Sequence, residues 1–378
     1  MLAPVLIAVV LNGFLATASA ESEWRADLLP ALKQAASEKK LALVDFQAPW
    51  CYSCYYMEQH VLSGERFAFA ATPLILVKLD VDTEDGRAFK EKYGVTMLPT
   101  YLLVDGKGRE KGRILGEQTE LDFMNKLIAL ERGGEGASEE DDLKDKLERV
   151  KRGDLDALEK ALDAPPECET AYFVGYGAKA LEKADSVRRA RVLAAEKTAL
   201  EAVVTKRVFV DADRRCADFR TPVEELADVY EALSLPEKRK ELLSRAAETM
   251  LAQGQTGEDR NRDDNARFFL TLLEDDTRLR SFYKQLIVAY PSDYVYSYRY
   301  AKWLQERGKS QDALPWIEEA DKLCYGANRL QVTEVRAKIL AELGRKDEAK
   351  DLLSRDAKAA RKSFPEEAAH LDSLRRSL

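Results

Sequence analysis

Cys51 and Cys54 are the residues of this chain best placed to do chemistry. Two thiols separated by Tyr52 and Ser53 can close into a disulfide and reopen, exchanging two electrons. They stand in Trp50-Cys51-Tyr52-Ser53-Cys54, between an apolar run of strand length, Leu41–Phe46, and a stretch from Tyr55 onward that reads as helix. A thiol at a helix start meets unpaired N–H groups and the positive end of the macrodipole, and such thiols often have a pKa near ~7 against ~8.5 when free. Cys51 is therefore expected to be the exposed nucleophile. Cys54 lies one turn on and on the same face, and is expected to be the buried thiol that resolves a mixed disulfide.

Asp45 precedes Cys51 by six positions, in a strand of otherwise apolar residues. Burial would raise its pKa until it could exchange a proton with Cys54 near neutrality. The competing reading is a strand-end carboxylate that reaches solvent. A zinc site would need further ligands, and only His60 is near; haem attachment would need His directly after Cys54, where Tyr55 stands. Copper handling through the cysteine pair is a weaker reading that metal titration would separate.

These residues need a sheet to position them. The segments Leu41–Phe46, Pro73–Asp80 and Thr100–Val104 read as strands, the second apolar enough for a sheet covered on both faces. Asp105-Gly106-Lys107-Gly108 reads as a hairpin turn, followed by strand at Arg113–Leu115. Helical spacing appears in Glu21–Lys40, from about Cys51, in Glu84–Tyr93 and in Thr119–Glu131, with Thr119 as N-cap. The order makes a mixed sheet flanked by helices.

Residues 21–132 resemble the thioredoxin fold, in particular the C-terminal domain of bacterial transmembrane thiol:disulfide interchange reductases. The resemblance is carried by Val44-Asp45-Phe46, Ala48, Trp50-Cys51, Cys54, Met57-Glu58, Lys78, Leu98-Pro99-Thr100 and Asp105-Gly106. It implies a cis bond before Pro99 beside the disulfide, with a backbone edge to which a substrate strand can pair. It further implies that Lys78 tunes Asp45, a solvent-facing lysine being the competing reading; Trp50, Tyr52 and Leu98 are the expected substrate contacts. Three positions depart from the pattern. Tyr52-Ser53 replaces Gly-Pro, Gln47 stands where an aromatic is frequent, and Tyr55 replaces the lysine that commonly follows the second cysteine. Tyr52, Tyr55 and Tyr56 form an aromatic collar, of which Tyr52 is assigned to a partner.

Residues 133–142 break every periodicity with glycines and a run of acids, and mark a flexible linker. Beyond them everything reads as helix, with turns near Pro165-Pro166, Pro222, Pro236 and Pro291. Residues 143–290 cannot be phased and fit either degenerate repeats or a plain bundle. In 291–378, Ala301, Gly308, Ala313 and Ala320 recur at Ala337, Gly344, Ala349 and Asp356, each 36 positions later. The pattern resembles tetratricopeptide repeats, which bind peptides or domains on a concave face. Tyr298, Lys302 and Gln305 would line that face, or the tyrosines of 294–300 would spread around a helix with half of them in the core. Cys168 and Cys216 are the pair to test as a structural disulfide, Cys324 reads as a small core residue, and Arg214-Arg215, Arg278 and Arg280 read as solvated.

The 378 residues are long enough for two or three domains, and the net charge of −8 comes from mixed charges without a basic stripe, so nucleic acid is not an expected partner. Residues 1–20 carry no charge and end in Ala18-Ser19-Ala20, which reads as a signal peptide cut after Ala20; anchoring by this segment is the lesser alternative. A periplasmic or secreted location follows, where a reactive pair needs an electron donor, for which a membrane-bound partner is a candidate. The expected activity is thiol–disulfide exchange on protein or peptide disulfides, as reductase or isomerase rather than oxidase, with Cys51 and Cys54 as the redox centre and no other cofactor. The helical repeats would recruit a protein partner. The alternative is a repeat scaffold whose first domain merely docks.

Overall fold

The computed structural model describes residues 23–133, 145–165, 167–184, 186–210 and 215–378. The leader 1–20, nearly all of the linker, Pro166 and Arg214 lie outside the described residues.

Four strands form one mixed sheet in the order β2-β1-β3-β4: β1 Leu41–Gln47, β2 Leu74–Asp80, β3 Thr100–Val104 and β4 Glu110–Leu115. β1 runs parallel to β2 and antiparallel to β3, with Asp45 opposite both Lys78 and Tyr101. Period-two alternation sends Ala42, Val44 and Phe46 to one apolar layer with α1 (Leu28–Glu38). Leu43 and, by the same alternation, Asp45 face the other layer, where Met57, Phe123 and Leu127 pack. That second layer is roofed by α2 (Tyr52–Met57), a π-turn Glu58–Leu62, α3 (Glu65–Ala70) and α5 (Glu120–Glu131); α4 (Glu84–Lys92) completes the first. Thr119 caps α5 by accepting the Asp122 N–H. The fourth strand begins three residues earlier than its apolar content suggested, because Glu110 to Gly112 pair with Leu103 and Val104 through a bulged register. This is the thioredoxin fold the sequence resembled.

The rest is helical. A short helix at 145–151 leads into α6 (Leu155–Asp163), α7 (Thr170–Ala184), α8 (Ser186–Val203), α9 (Arg220–Ala232), α10 (Pro236–Ala252), α11 (Arg260–Leu272) and α12 (Asp276–Ala289). α13 (Tyr294–Glu306), α14 (Ser310–Leu323), α15 (Gly326–Glu342), α16 (Lys346–Ala360) and α17 (Pro365–Ser377) follow. From α9 onward each helix packs on the next, so the middle is an array of helix pairs continuous with the tetratricopeptide-like end. The repeat residues behave as the 36-residue offset requires. Ala301, Ala313, Ala320, Ala337 and Ala349 are fully buried where helices approach. Gly308 and Gly344 end α13 and α15 in the left-handed region, with φ of 68° and 81°. Asp356 is buried and accepts the Thr333 hydroxyl at 2.6 Å.

Cys168 and Cys216 are joined, tying the entry to α7 to the segment before α9. Cys324 is a free, buried thiol whose pKa burial pushes up to about 11. Pro222 sits in the first turn of α9, where no N–H is required, directly after the non-helical residues 215–219. One expectation needs correction. Arg215 is half-buried, donating to the Val210 carbonyl with its guanidinium against Phe219, because the Cys216 bridge draws its segment inward.

Candidate active site at the Cys51–Cys54 pair

Cys51 is the N-cap of α2, and its Sγ accepts the Cys54 N–H at 3.1 Å. Local sequence makes this start: Ala48 turns the chain, its carbonyl accepting the Cys51 N–H, and Cys51 keeps an extended backbone before the helix begins. Cys51 and Cys54 are disulfide-bonded, with Cα atoms 5.2 Å apart. The expected asymmetry of exposure is absent. Cys51 is 5% exposed and Cys54 7%, since both sit in the apolar cluster with Ala48, Val81, Val95 and Leu98.

Asp45 is buried, its Oδ1 has no hydrogen-bond partner, and burial pushes its pKa up to about 7, with Lys78 opposing and Glu58 assisting. It therefore belongs to the buried-acid reading and not to the solvent-facing one. Lys78 stands beside Asp45 in register, donates to Glu58 Oε1 at 2.8 Å and lies 5.4 Å from the Trp24 ring. Pro99 follows a cis bond and is buried, while Leu98 is half-buried in the cluster that holds both cysteines. Trp50 is 40% exposed and donates from Nε1 to Asp82 at 2.7 Å.

The tyrosine collar is engaged from within the chain. Arg220 lies 3.6 Å from the Tyr52 ring centre and Arg260 4.0 Å from that of Tyr55. Tyr52, assigned to an external partner, thus meets α9 instead, and Asn261 of α11 donates to its carbonyl at 2.9 Å. Tyr55 is buried, and burial raises its hydroxyl. Tyr56 packs on His60, with ring centres 4.8 Å apart. On α13, Tyr294, Tyr296 and Tyr300 are core, Lys302 is exposed, and Gln305 bonds to Glu342. The core reading of those tyrosines therefore describes most of the run.

Several site neighbours escaped the sequence reading. Glu117, after β4, is buried; burial pushes its carboxyl well above the usual range, Asp218 adding to this while Ser53 and Arg220 oppose. Asp264 is fully buried and takes Arg220 at 2.8 Å, Arg267 at 2.8 Å and Arg299 at 2.5 Å. Burial alone would raise that carboxyl, but the three guanidiniums hold it well below its ordinary value. For Asp264, the signal that could have found it was a polar run, Arg260-Asn261-Arg262-Asp263-Asp264-Asn265, at the start of a helix with an otherwise apolar stripe.

Comparison with known proteins agrees with the sheet and the cysteine pair. Residues 23–106 match the thioredoxin-like family. Thioredoxin of Echinococcus granulosus is 37% identical over 86 residues, covering 23% of this chain and 75% of the relative. The chain belongs to the thioredoxin-like family. Its thioredoxin-like domain also matches thiol:disulfide interchange protein DsbD of Pseudomonas fluorescens, 36% identical over 96 residues, 24% of this chain and 16% of that protein. Protein disulfide-isomerase 1 of Dictyostelium discoideum is 34% identical over 101 residues, 25% of this chain and 27% of the relative. The chain thus spans well under half the length of these two longer relatives. Among the described residues no helix is long and apolar enough to cross a membrane, and no group of three or more His, Cys, Asp or Glu is arranged to hold a metal ion.

Proposed function

We propose that this chain is a thiol–disulfide oxidoreductase acting on protein or peptide disulfides outside the cytoplasm. The observation that carries the reading is Cys51 at the helix cap, bonded to Cys54, in a domain whose one buried strand acid, Asp45, titrates near neutrality. In the reduced protein the Cys51 thiolate attacks one sulfur of the client disulfide, forming a mixed disulfide and expelling the other client sulfur as thiolate. Cys54 gives its proton to Asp45 and attacks Cys51 Sγ, releasing the second client sulfur. Asp45 returns the proton through solvent. Two electrons leave the dithiol, one S–S bond breaks in the client and one forms between Cys51 and Cys54. No cofactor beyond this pair enters the scheme, and an external donor, membrane-bound or soluble, must reduce it again.

Reduction or isomerisation is favoured over oxidation by the Asp45–Lys78 register and by Leu98 before Pro99, and the client's own potential sets the direction. The leader-like segment 1–20 and the Cys168–Cys216 bond support an oxidising compartment. The helical array would bring the client or donor. Two observations favour a second reading, a scaffold with an inert disulfide: both cysteines are buried, and α11 packs on α2. Reduction of an extended peptide disulfide with dithiothreitol as donor separates the two. Turnover is expected for the native chain and none for Cys51→Ser, while Cys54→Ala should accumulate the mixed disulfide. Equal, background rates in native and Cys51→Ser protein would leave the scaffold.

A further inference from the structure

The approach to Cys51 from its own backbone neighbours is covered by the chain itself. Arg299 of α13 donates from Nη2 to the Trp50 carbonyl at 3.2 Å, and Asn261 of α11 donates to the Tyr52 carbonyl. Both carbonyls flanking Cys51 are thereby engaged, and the Tyr52 ring lies beneath Arg220 of α9. These contacts are one network. Arg299 and Arg220 share Asp264; Arg220 Nε donates to Asn265 Oδ1 at 2.8 Å, and Asn265 Nδ2 donates to Asn261 Oδ1 at 3.1 Å. A chain of hydrogen bonds, buried at Asp264 and half-buried at Tyr52, therefore runs from Asp264 to the backbone beside the disulfide.

A second wall stands at residues 80–82, where Asp82 also takes the Trp50 indole N–H. The Asp82 carbonyl accepts the Ala327 N–H at 3.0 Å, and the Tyr325 hydroxyl donates to Asp80. Gly326 fits here with φ 53° because a Cβ would lie 2.1 Å from the Asp82 carbonyl oxygen. Beside the cluster that holds both cysteines, Thr96 is exposed and Met97 and Leu98 are half-exposed, next to the buried Pro99.

Disulfide exchange requires the incoming sulfur to reach Cys51 Sγ at about 3–3.5 Å in line with the bond it breaks. A disulfide set in a globular surface brings that surface against residues 50–52 and 80–82, where the helical region already sits. A small disulfide, or one on an extended segment laid along Thr96–Leu98, needs no such clearance.

We propose that the helical region is a specificity element of this active site. Arg220, Asn261 and Arg299, held by Asp264, together with the Gly326 contact, admit small and extended disulfides and hold off those embedded in folded proteins. The inference rests on the oxidoreductase reading above.

The test uses the full chain, prereduced and freed of reductant, so that its own dithiol supplies the two electrons of a single turnover. Glutathione disulfide is the small substrate and insulin the folded one. Two variants open different walls: Arg220→Gln combined with Asn261→Ala, and Gly326→Ala, each checked for native circular dichroism. The expected result is an insulin rate raised about tenfold, equivalent to about 1.4 kcal/mol in barrier, with the glutathione disulfide rate held within about twofold. Insulin rates that stay unchanged in both variants, fall, or rise by the same factor as the small substrate overturn the specificity element alone. A native chain that oxidises with neither substrate, indistinguishable from Cys51→Ser, overturns the oxidoreductase reading and this inference with it.

Discussion

The sheet beneath the disulfide and the helix above it are both buried, yet they are built from opposite materials. β1 and β3 are almost wholly apolar, with Asp45 the charged residue among them. The opening of α11 is equally hidden, but through Asn261, Arg262, Asp263, Asp264, Asn265 and Arg267. Apolar burial is non-directional and tolerates repacking of similar volume. A buried carboxylate that takes guanidiniums from α9, α11 and α13 is satisfied in one arrangement of those helices only. The sheet thus supplies a stable platform, and the polar helix fixes how the helical region is seated on it. That division of labour explains how a thioredoxin-like domain can carry a large neighbour directly over its cysteines.

The comparison breaks most visibly at Asp264. Asp264→Ala leaves three arginines without their shared anion, and removing one partner from a buried charge pair costs about 3–5 kcal/mol. Urea unfolding followed at Trp303 and Trp316 should show the helical region melting earlier. An unchanged midpoint would mean that the network contributes nothing to its seating.

Asp45 tests the one carboxyl group buried within the platform's strands. Its folded pKa of about 7 lies above an unfolded value near ~3.9, so the folded state holds the proton more tightly. The associated stability is complete below about pH 4 and is lost as pH rises to about 7. With about 1.4 kcal/mol per pH unit, the loss approaches about 4 kcal/mol. Oxidised Asp45→Asn should therefore match the native chain near pH 4 and exceed it by up to that amount at pH 8, as read from urea titrations. Parallel stability curves for the two proteins across this range would show that Asp45 is not a buried, protonated acid.

The two regions were also unequally legible. Short-range patterns made the platform readable: the strands at Leu41–Phe46 and Thr100–Val104, the Asp105–Gly108 turn and the Thr119 cap all follow from local alternation and turn chemistry. Gly308 and Gly344 were readable because a left-handed residue ending a helix recurs at a fixed period. The interface was not, because nothing local distinguishes a charge run facing solvent from one facing another domain. Arg220, Asp264 and Arg299 are brought together across 79 positions by the array of helices alone. The exposure expected of Cys51 failed for the same reason: spacing placed it at a helix cap, but what packs around that cap is a long-range fact.

A milder test on the platform side is Ile114→Val, which removes one methylene from a fully buried position on β4. Such a deletion typically costs about 1 kcal/mol, because neighbouring apolar groups relax into part of the space. Differential unfolding at Trp24 should register that much and leave the tryptophans of α13 and α14 unmoved. A loss comparable to that of Asp264→Ala would erase the contrast between a tolerant apolar layer and an exacting polar one.

The smallest effect is expected where the same interface reaches water. His60 Nε2 lies 2.9 Å from Asp259 Oδ2, joining the π-turn after α2 to the cap of α11, with the His60 side chain 43% exposed. Solvent screens such a pair, and holding two side chains in one geometry costs entropy, so exposed pairs contribute only about 0–1 kcal/mol. Asp259 also accepts the Arg262 N–H, and that capping bond survives when His60 is replaced. His60→Gln should therefore shift the urea midpoint slightly at low salt, with the difference fading as ionic strength rises beyond physiological levels. Were it to destabilise as much as Asp264→Ala and to resist salt, the seating energy would lie at the rim of the contact instead of at the buried carboxylate.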